Sequence, residues 1–437
     1  MRIKDVLEID FFILLPVIVL IVLGILFIYS SGITSDGTLV NRDYLRQIVW
    51  ASAGLVVALA LALVNYRRFY EIALYPYLFI LIPLLYTCIF GDEARGTRWL
   101  KIGSFGIQVS EFAKITTIIF LARYLADTRL SGNSFVRFLT SCFIVLVPMG
   151  IVLIQPDLGT SLVFIPILLS MSFVAGIAMR YIIFSISAIL LTSVLTVLPL
   201  WQAYILRKSL PGLVMLTNPR LVIIAMLALI LIIGIAAFGY LKYRKRYFYW
   251  MVYAFAAVVF SLGASYGARG VLKNYQIMRL IVFLDPNIDP RGAGWNIIQS
   301  ITAIGAGGFT GQGYLQGTQS HYRFLPEQST DFIFSIFSEE AGFVGGIVVF
   351  ILFLIICLRI LQTSKVTNDP FASYICAGLV GVYSFHFIIN VGMTMGIMPI
   401  TGIPLVFMSY GGSSLLSALV GIGLVMSIYV RRYNYQI

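Results

Sequence analysis

Charge is what this sequence lacks most. Of its 437 residues only 11% are Asp, Glu, Lys or Arg, against 60% that are hydrophobic, whereas a soluble domain carries about 25% charged residues. With a mean hydropathy of +0.96, the deficit is too deep for an ordinary core and predicts a polytopic, all-α membrane protein. Cysteine is scarce as well. Cys88, Cys142, Cys357 and Cys376 sit singly in apolar stretches, which suggests neither a disulfide framework nor a zinc site. Acidic residues are the rarer charge, 18 against 30 basic ones, for a formal net charge of +12. In a membrane protein that excess marks cytoplasmic loops and contact with anionic lipid. No basic run is long or interleaved with exposed aromatics, so nucleic acid is not an expected partner. No serine stands three residues before any lysine, so the S-x-x-K acylation motif is absent. No GxxxxGK[ST] occurs either, which removes a nucleotide site from consideration.

What is present is a series of apolar runs long enough to span a bilayer, about 20 residues each. The first, Phe11–Ser30, is too long for a cleavable signal and shows no small-residue cleavage site. Others lie at 47–66, 72–91, 138–155, 158–179, 181–206, 221–241, 247–268 and 332–358, with two within 371–430 and a shorter, charged one at 111–126. That predicts twelve helices in one membrane domain, 1–437. The basic strings MRIK, YRRFYE, KYRKRY and RRYNYQI fall on one side if both termini are cytoplasmic. The segments 92–110 and 270–331 then face outward, and the second is too long for a bare connector.

Three polar stretches are candidates for chemistry. In 91–114, Arg95, Arg98 and Lys101 flank Trp99. Ser110 is expected to cap the next helix, and Glu111 and Lys114 share a face. Cations beside a helix start suit an anionic head group such as a diphosphate; an ordinary solvated loop reads equally well from spacing. In QPDLGTS, Asp157 either caps a helix or faces a cavity. The third stretch, 270–331, contains FLDPNIDPRGAGWNIIQS, with two carboxylates, Asp285 and Asp289, each before a proline, and with Arg279, Arg291, Gln299 and Ser300 around them. Its later glycines are expected to permit tight turns and close packing. Glu339 and Glu340 are placed on one helix with Asp331, where they could line a cavity. His386 and Asn390 are expected to form a satisfied polar pair, and His321 is a lone loop histidine.

Five strings, in order, resemble the SEDS family, the RodA and FtsW proteins that build bacterial cell wall: GTRWLKIG…SEFAK, QPDLGTS, DPRGAGWNIIQS, GTQSHYRFLPEQSTDFIFS and GIPLVFMSYGGSS. GTQS with FLPEQSTDFIFS is closer to the elongation branch than to the division branch. The resemblance covers almost the whole chain. Departures are Val109 where a proline is common, Trp295 where a tyrosine is common, and two helices beyond the family's ten, placed in 202–268.

The resemblance implies a peptidoglycan glycosyltransferase of the bacterial inner membrane that polymerises lipid II, with Asp289, in the family's DP-x-G motif, as general base. A carboxylate can take the proton of the acceptor hydroxyl as it attacks the anomeric carbon, and a single carboxylate predicts inversion. Arg98, Lys101, Lys114, Arg279 and Arg291 become candidates for stabilising the undecaprenyl diphosphate leaving group. Trp99, Glu111, Asp157, Gln299 and Ser300 complete the expected substrate-binding set. The resemblance implies no certain cofactor; a divalent cation (Mg or Mn) could assist, although no ligand cluster has the usual spacing. Implied partners are a class B penicillin-binding protein, lipid-linked glycan and other membrane proteins of the elongation complex. A lipid II flippase and a non-catalytic scaffold that activates the penicillin-binding protein are the competing readings.

Overall fold

The computed structural model describes residues 10–90, 98–102, 105–130, 132–206 and 211–433. A helix covers each stretch expected to span, and among the described residues nine helices are long and apolar enough to cross a membrane by length and composition. In chain order the elements begin with α1 (Phe11–Ser31), α2 (Asp43–Leu63), α3 (Arg67–Ile72), α4 (Leu74–Phe90), β1 (Trp99–Ile102) and β2 (Phe105–Gln108). Next come α5 (Val109–Asp127), α6 (Ser134–Ile154), α7 (Leu158–Leu162), α8 (Phe164–Val174), α9 (Met179–Trp201), α10 (Pro211–Thr217), α11 (Pro219–Tyr243) and α12 (Arg246–Val271). The chain ends with α13 (Asn274–Leu284), α14 (Ala293–Gly307), α15 (Thr318–His321), α16 (Ile333–Val366), α17 (Pro370–Thr394) and α18 (Gly412–Val430). The stretch 270–331, expected as a loop, is therefore largely helical. Within 92–110, β1 and β2 pair as a short antiparallel hairpin, with Trp99 opposite Gln108 and Ile102 opposite Phe105, that the sequence did not suggest. The chain divides into two compact units: 1–177 with 296–437, and 178–295.

In the first unit small residues set the packing. Helix α2 buries Gln47, Ala51, Gly54, Ala58 and Ala62, a stripe at helical spacing, and α18 lies on it so closely that a Cβ on Gly423 would collide with the Ala58 backbone. With no water to drive helices together in lipid, such close approach is what stabilises the contact. Tyr383 of α17 sits against Gly421 and donates its hydroxyl to Ala418 O at 2.8 Å. At the opposite end of α16, Arg359 clasps Asp10, the N-cap of α1, through Nη2 at 2.7 Å and Nε at 3.1 Å.

The glycines of 305–317 are spliced into a break in α16. Gly342 has φ 67°, ψ −167°, so the helix stops and restarts there. Broken helices survive within a membrane only where other protein groups satisfy the freed backbone. Here Gln312 N and Gly313 N each donate at 3.0 Å to the Glu339 and Glu340 carbonyls, while Phe343 N donates at 3.0 Å to Gly308 O and Val344 N at 3.2 Å to Phe309 O. A side chain on Gly307, Gly311 or Gly342 would occupy the same space as this backbone. The two glutamates face the loop rather than a cavity. Glu339 accepts from Thr318 Oγ1 at 3.0 Å and Gln319 N at 2.8 Å; Glu340 accepts from Leu315 N at 2.9 Å and from Ser30 Oγ. Asp331 precedes α16 instead of lying on it, because the helix begins only at Ile333.

In the second unit, α11 and α12 form a hairpin whose turn is left-handed at Arg244, φ 50°. Gly239 lets α11 receive the Phe248 ring. Tyr253 of α12 donates to Arg180 O at 2.8 Å and Ser261 to Ala188 O at 3.1 Å, which ties α12 to α9. The tyrosines, Phe248 and Trp250 around the basic turn suit a membrane interface.

Candidate active site

The first turn of α5 is held by two serines of α18. Ser413 and Ser417 are four residues apart and so lie on one face. Gln108 N donates to Ser413 Oγ at 2.9 Å, and Ser417 Oγ donates to Glu111 Oε2 at 3.2 Å. Two serines at i and i+4 in an apolar helix are the signal that sequence reasoning passed over. Ser110 does not cap α5. The helix starts two residues earlier than that cap would place it, with Gln108 as N-cap, which leaves the Ser110 hydroxyl buried without a partner among the described residues.

Glu111 and Lys114 pair as expected, at 2.8 Å, and both are almost wholly buried. The pair has a third member. Lys114 Nζ lies 3.2 Å from His386 Nε2, and His386 Nδ1 lies 3.0 Å from Pro404 O. A carbonyl only accepts, so the imidazole proton belongs on Nδ1 and the Nε2 lone pair faces the ammonium. His386 therefore partners Lys114 rather than Asn390, whose amide instead donates to Asp331 O at 2.9 Å and Ile403 O at 2.8 Å. Lys114 is 2% exposed, and its cation is committed to these protein partners.

Asp157 caps α7, one of the two roles the sequence allowed, and also braces the hairpin. Its Oδ1 accepts from Thr160 N at 3.2 Å, the N-cap of α7, while Oδ2 accepts from Gln108 Nε2 at 2.9 Å and lies 3.5 Å from Arg98. Gly159 brings this turn against the Thr401 backbone. Arg98 and Trp99 are part-exposed beside it, the Trp99 ring lying over Gly106 across the hairpin. The backbone of Lys101 is in β1; its side chain, like Arg95, lies outside the described residues.

In the second unit, both aspartates of the DPNIDP stretch meet backbone N–H groups. Asp285 caps the 3₁₀ turn Pro286–Ile288, accepting from Asn287 N at 3.0 Å and Asn287 Nδ2 at 3.1 Å. Asp289 Oδ2 accepts from Ala293 N, the first residue of α14, at 3.0 Å. No hydrogen bond reaches Asp289 Oδ1 among the described residues. Gly294 N returns to Asp289 O at 3.1 Å. A Cβ at Gly292 would overlap the Asp289 carboxylate, and one at Gly294 the Pro286 carbonyl, so both glycines are required by the turn. Asp289 is half-buried and Arg291 exposed. Arg279 stacks over Tyr275, 5.7 Å from the ring centre.

Further along α14, in the first unit, Gln299 is half-buried. Ser300 is fully buried and bonded to Ser335 Oγ at 2.6 Å and Thr394 O at 2.7 Å, which turns its hydroxyl toward helix packing. No group of three or more His, Cys, Asp or Glu that could hold a metal occurs among the described residues.

A bundle of apolar helices with buried, fully partnered charges defines a multi-pass membrane protein. A family model described as cell cycle protein, of the FtsW, RodA and SpoVE type, matches residues 11–210 and 201–434. The peptidoglycan glycosyltransferase RodA of Treponema pallidum is 47% identical over 433 residues, 99% of this chain and all of that one. The peptidoglycan glycosyltransferase MrdB of Escherichia coli is 29% identical over 98% of this chain and 95% of its own length. Among solved structures, a chain of a peptidoglycan synthase complex superposes with a TM-score of 0.66 at 24% identity, covering 97% of this chain and 98% of its own. The RodA of Thermus thermophilus gives 0.59 at 21% identity over the same shares. The chain belongs to the FtsW, RodA and SpoVE family, and it is a glycosyltransferase.

Proposed function

We propose that this glycosyltransferase polymerises lipid II into glycan strands during cell elongation, with Asp289 as general base. Asp289 takes the proton of the acceptor sugar hydroxyl as that oxygen attacks the donor's anomeric carbon. The bond to undecaprenyl diphosphate breaks, and the configuration inverts. Arg291 and Arg279, in the same unit as Asp289, stabilise the departing diphosphate. The site works on the extracytoplasmic side with both termini in the cytoplasm, and a class B penicillin-binding protein crosslinks the product.

The observation that carries this reading is the fixed turn around Asp289. One carboxylate oxygen is anchored to the start of α14, glycine at 292 keeps a side chain away from the carboxylate, and glycine at 294 lets the backbone of the turn close. A base must hold its orientation while one oxygen stays available for the proton. Purified protein with labelled lipid II tests the proposal. Glycan polymer is expected from wild type, alone or with its penicillin-binding partner, and none from Asp289→Asn. Movement of lipid II across vesicles without polymer would favour a flippase, and neither activity would favour a scaffold.

A further inference from the structure

A cavity of about 510 Å³ opens in the first unit where the proposed chemistry uses no residue. Its wall comes from the α1–α2 connection and the start of α2 (Asn41, Asp43), the loop before α16 (Arg323, Glu327, Ser329) and Tyr410 before α18. The volume lies within the range of small-molecule sites.

The cavity is built rather than incidental. Arg323 and Glu327 hold left-handed backbone, φ 55° and 49°, which non-glycine residues adopt only when surroundings enforce it. The enforcement is visible. Arg323 N and the Gln328 amide both donate to Ser320 O at 3.1 Å, Thr330 N donates to Glu327 O at 3.3 Å, and Tyr410 N donates to Ser329 O at 2.8 Å.

We propose that this cavity binds a saccharide unit of the glycan strand, an N-acetylated hexose. The inference rests on the glycosyltransferase reading and extends it to a second sugar-holding position. The lining chemistry selects the ligand class. Two carboxylates against Arg323, with Arg46 beside Asp43 at 3.8 Å, leave no net positive field for a phosphate head group. Ile28, Leu325 and Pro326 also line the cavity, but Ser31, Asn41, Gln328, Ser329 and Thr330 interrupt them, so the apolar wall is not continuous enough for an acyl chain. Hydroxyls, two amides, carboxylates and one tyrosine ring are the set that pairs with sugar hydroxyls and stacks on a sugar face. The position fits a growing strand. Tyr410 lines the cavity, and three residues on Ser413 holds the base of the hairpin that carries Arg98 and Trp99.

The test is saturation-transfer NMR on the full-length protein in detergent, with chitotetraose as probe. Wild type should show saturable binding. Tyr410→Phe, which keeps the ring and the fold, should weaken it about three- to tenfold, the worth of one hydrogen bond. Ser329→Trp should fill the cavity and abolish it. Asp289→Asn, inactive in polymerisation, should bind the probe as wild type does. If wild type makes polymer but shows no saturable binding, or if Ser329→Trp binds unchanged, this inference falls and the proposed function stands. If binding behaves as stated while wild type makes no polymer, the proposed function falls instead. Displacement of the probe by glycerol-1-phosphate would overturn the assignment to sugar.

Discussion

Lys114 and His386, 272 residues apart in sequence, meet at 3.2 Å in the buried interior, with Glu111 at 2.8 Å on the other side of the ammonium. A buried ion pair is weak evidence of net stability, but removing one partner strands the other's charge. Lys114→Met alone should therefore destabilise the protein by about 3–5 kcal/mol. The double variant Glu111→Gln/Lys114→Met should be less destabilised than the sum of the single changes. Denaturation of the four proteins in detergent, treated as a double-mutant cycle, checks this.

Asp157 separates cap from charge. Asparagine keeps an acceptor for Thr160 N, and the lost ion pair with part-exposed Arg98 is worth less than about 1 kcal/mol. Asp157→Asn should unfold close to wild type, whereas Asp157→Ala should lose about 1–2 kcal/mol with the cap. Thermal unfolding midpoints of the two variants decide it.

Gly342→Ala should prevent stable folding. The position is left-handed, and the added carbon would fall on the Gly311 backbone. Strain and overpacking together should cost roughly 3 kcal/mol or more. Size-exclusion profiles should show little monodisperse protein, while Gly346→Ala, which meets only the tip of Phe334 at 3.8 Å, should behave as wild type.

Burial pulls the His321 imidazole pKa below its ordinary value, against a smaller upward pull from Glu339. In the unfolded chain the ring takes a proton near pH 6.5, about its ordinary value. The unfolded state thus binds more protons there, and this contribution to stability is present above that pH and lost as pH falls through it. Glu339 and Glu340 face the same ring and remain in place in His321→Gln. The variant should show a flatter loss of stability than wild type between about pH 7 and 5. Unfolding midpoints across that range check the slope.

Much of the fold could be read directly, because uncharged runs of bilayer length have one stable form in lipid. The Glu111–Lys114 pair and the Asp157 cap were legible for a similar reason: each depends on neighbours three residues away. His386 on Lys114 and Ser417 on Glu111 were not, since nothing local announces a partner 272 or 306 residues distant. The capping error at Ser110 came from the hairpin, which delivers the chain into α5 already helical at Val109. The glycines of 305–317 could be read as close-packing residues, but not as the splice that fills the break at Gly342. That break shows only in backbone angles.

Asp285 and Asp289 both accept from backbone N–H groups, so position alone does not separate turn from chemistry. Substitution by asparagine does. Asparagine caps about as well as aspartate, so both variants should fold, and only the one that removes the base should fail. The decisive measurement is glycan polymer formed from labelled lipid II by purified wild type, Asp285→Asn and Asp289→Asn at matched folded concentration. Asp285→Asn should retain most of the activity and Asp289→Asn should make no detectable polymer. Polymer from Asp289→Asn at the wild-type rate, or equal loss in both variants, would contradict the assignment of Asp289 as the base.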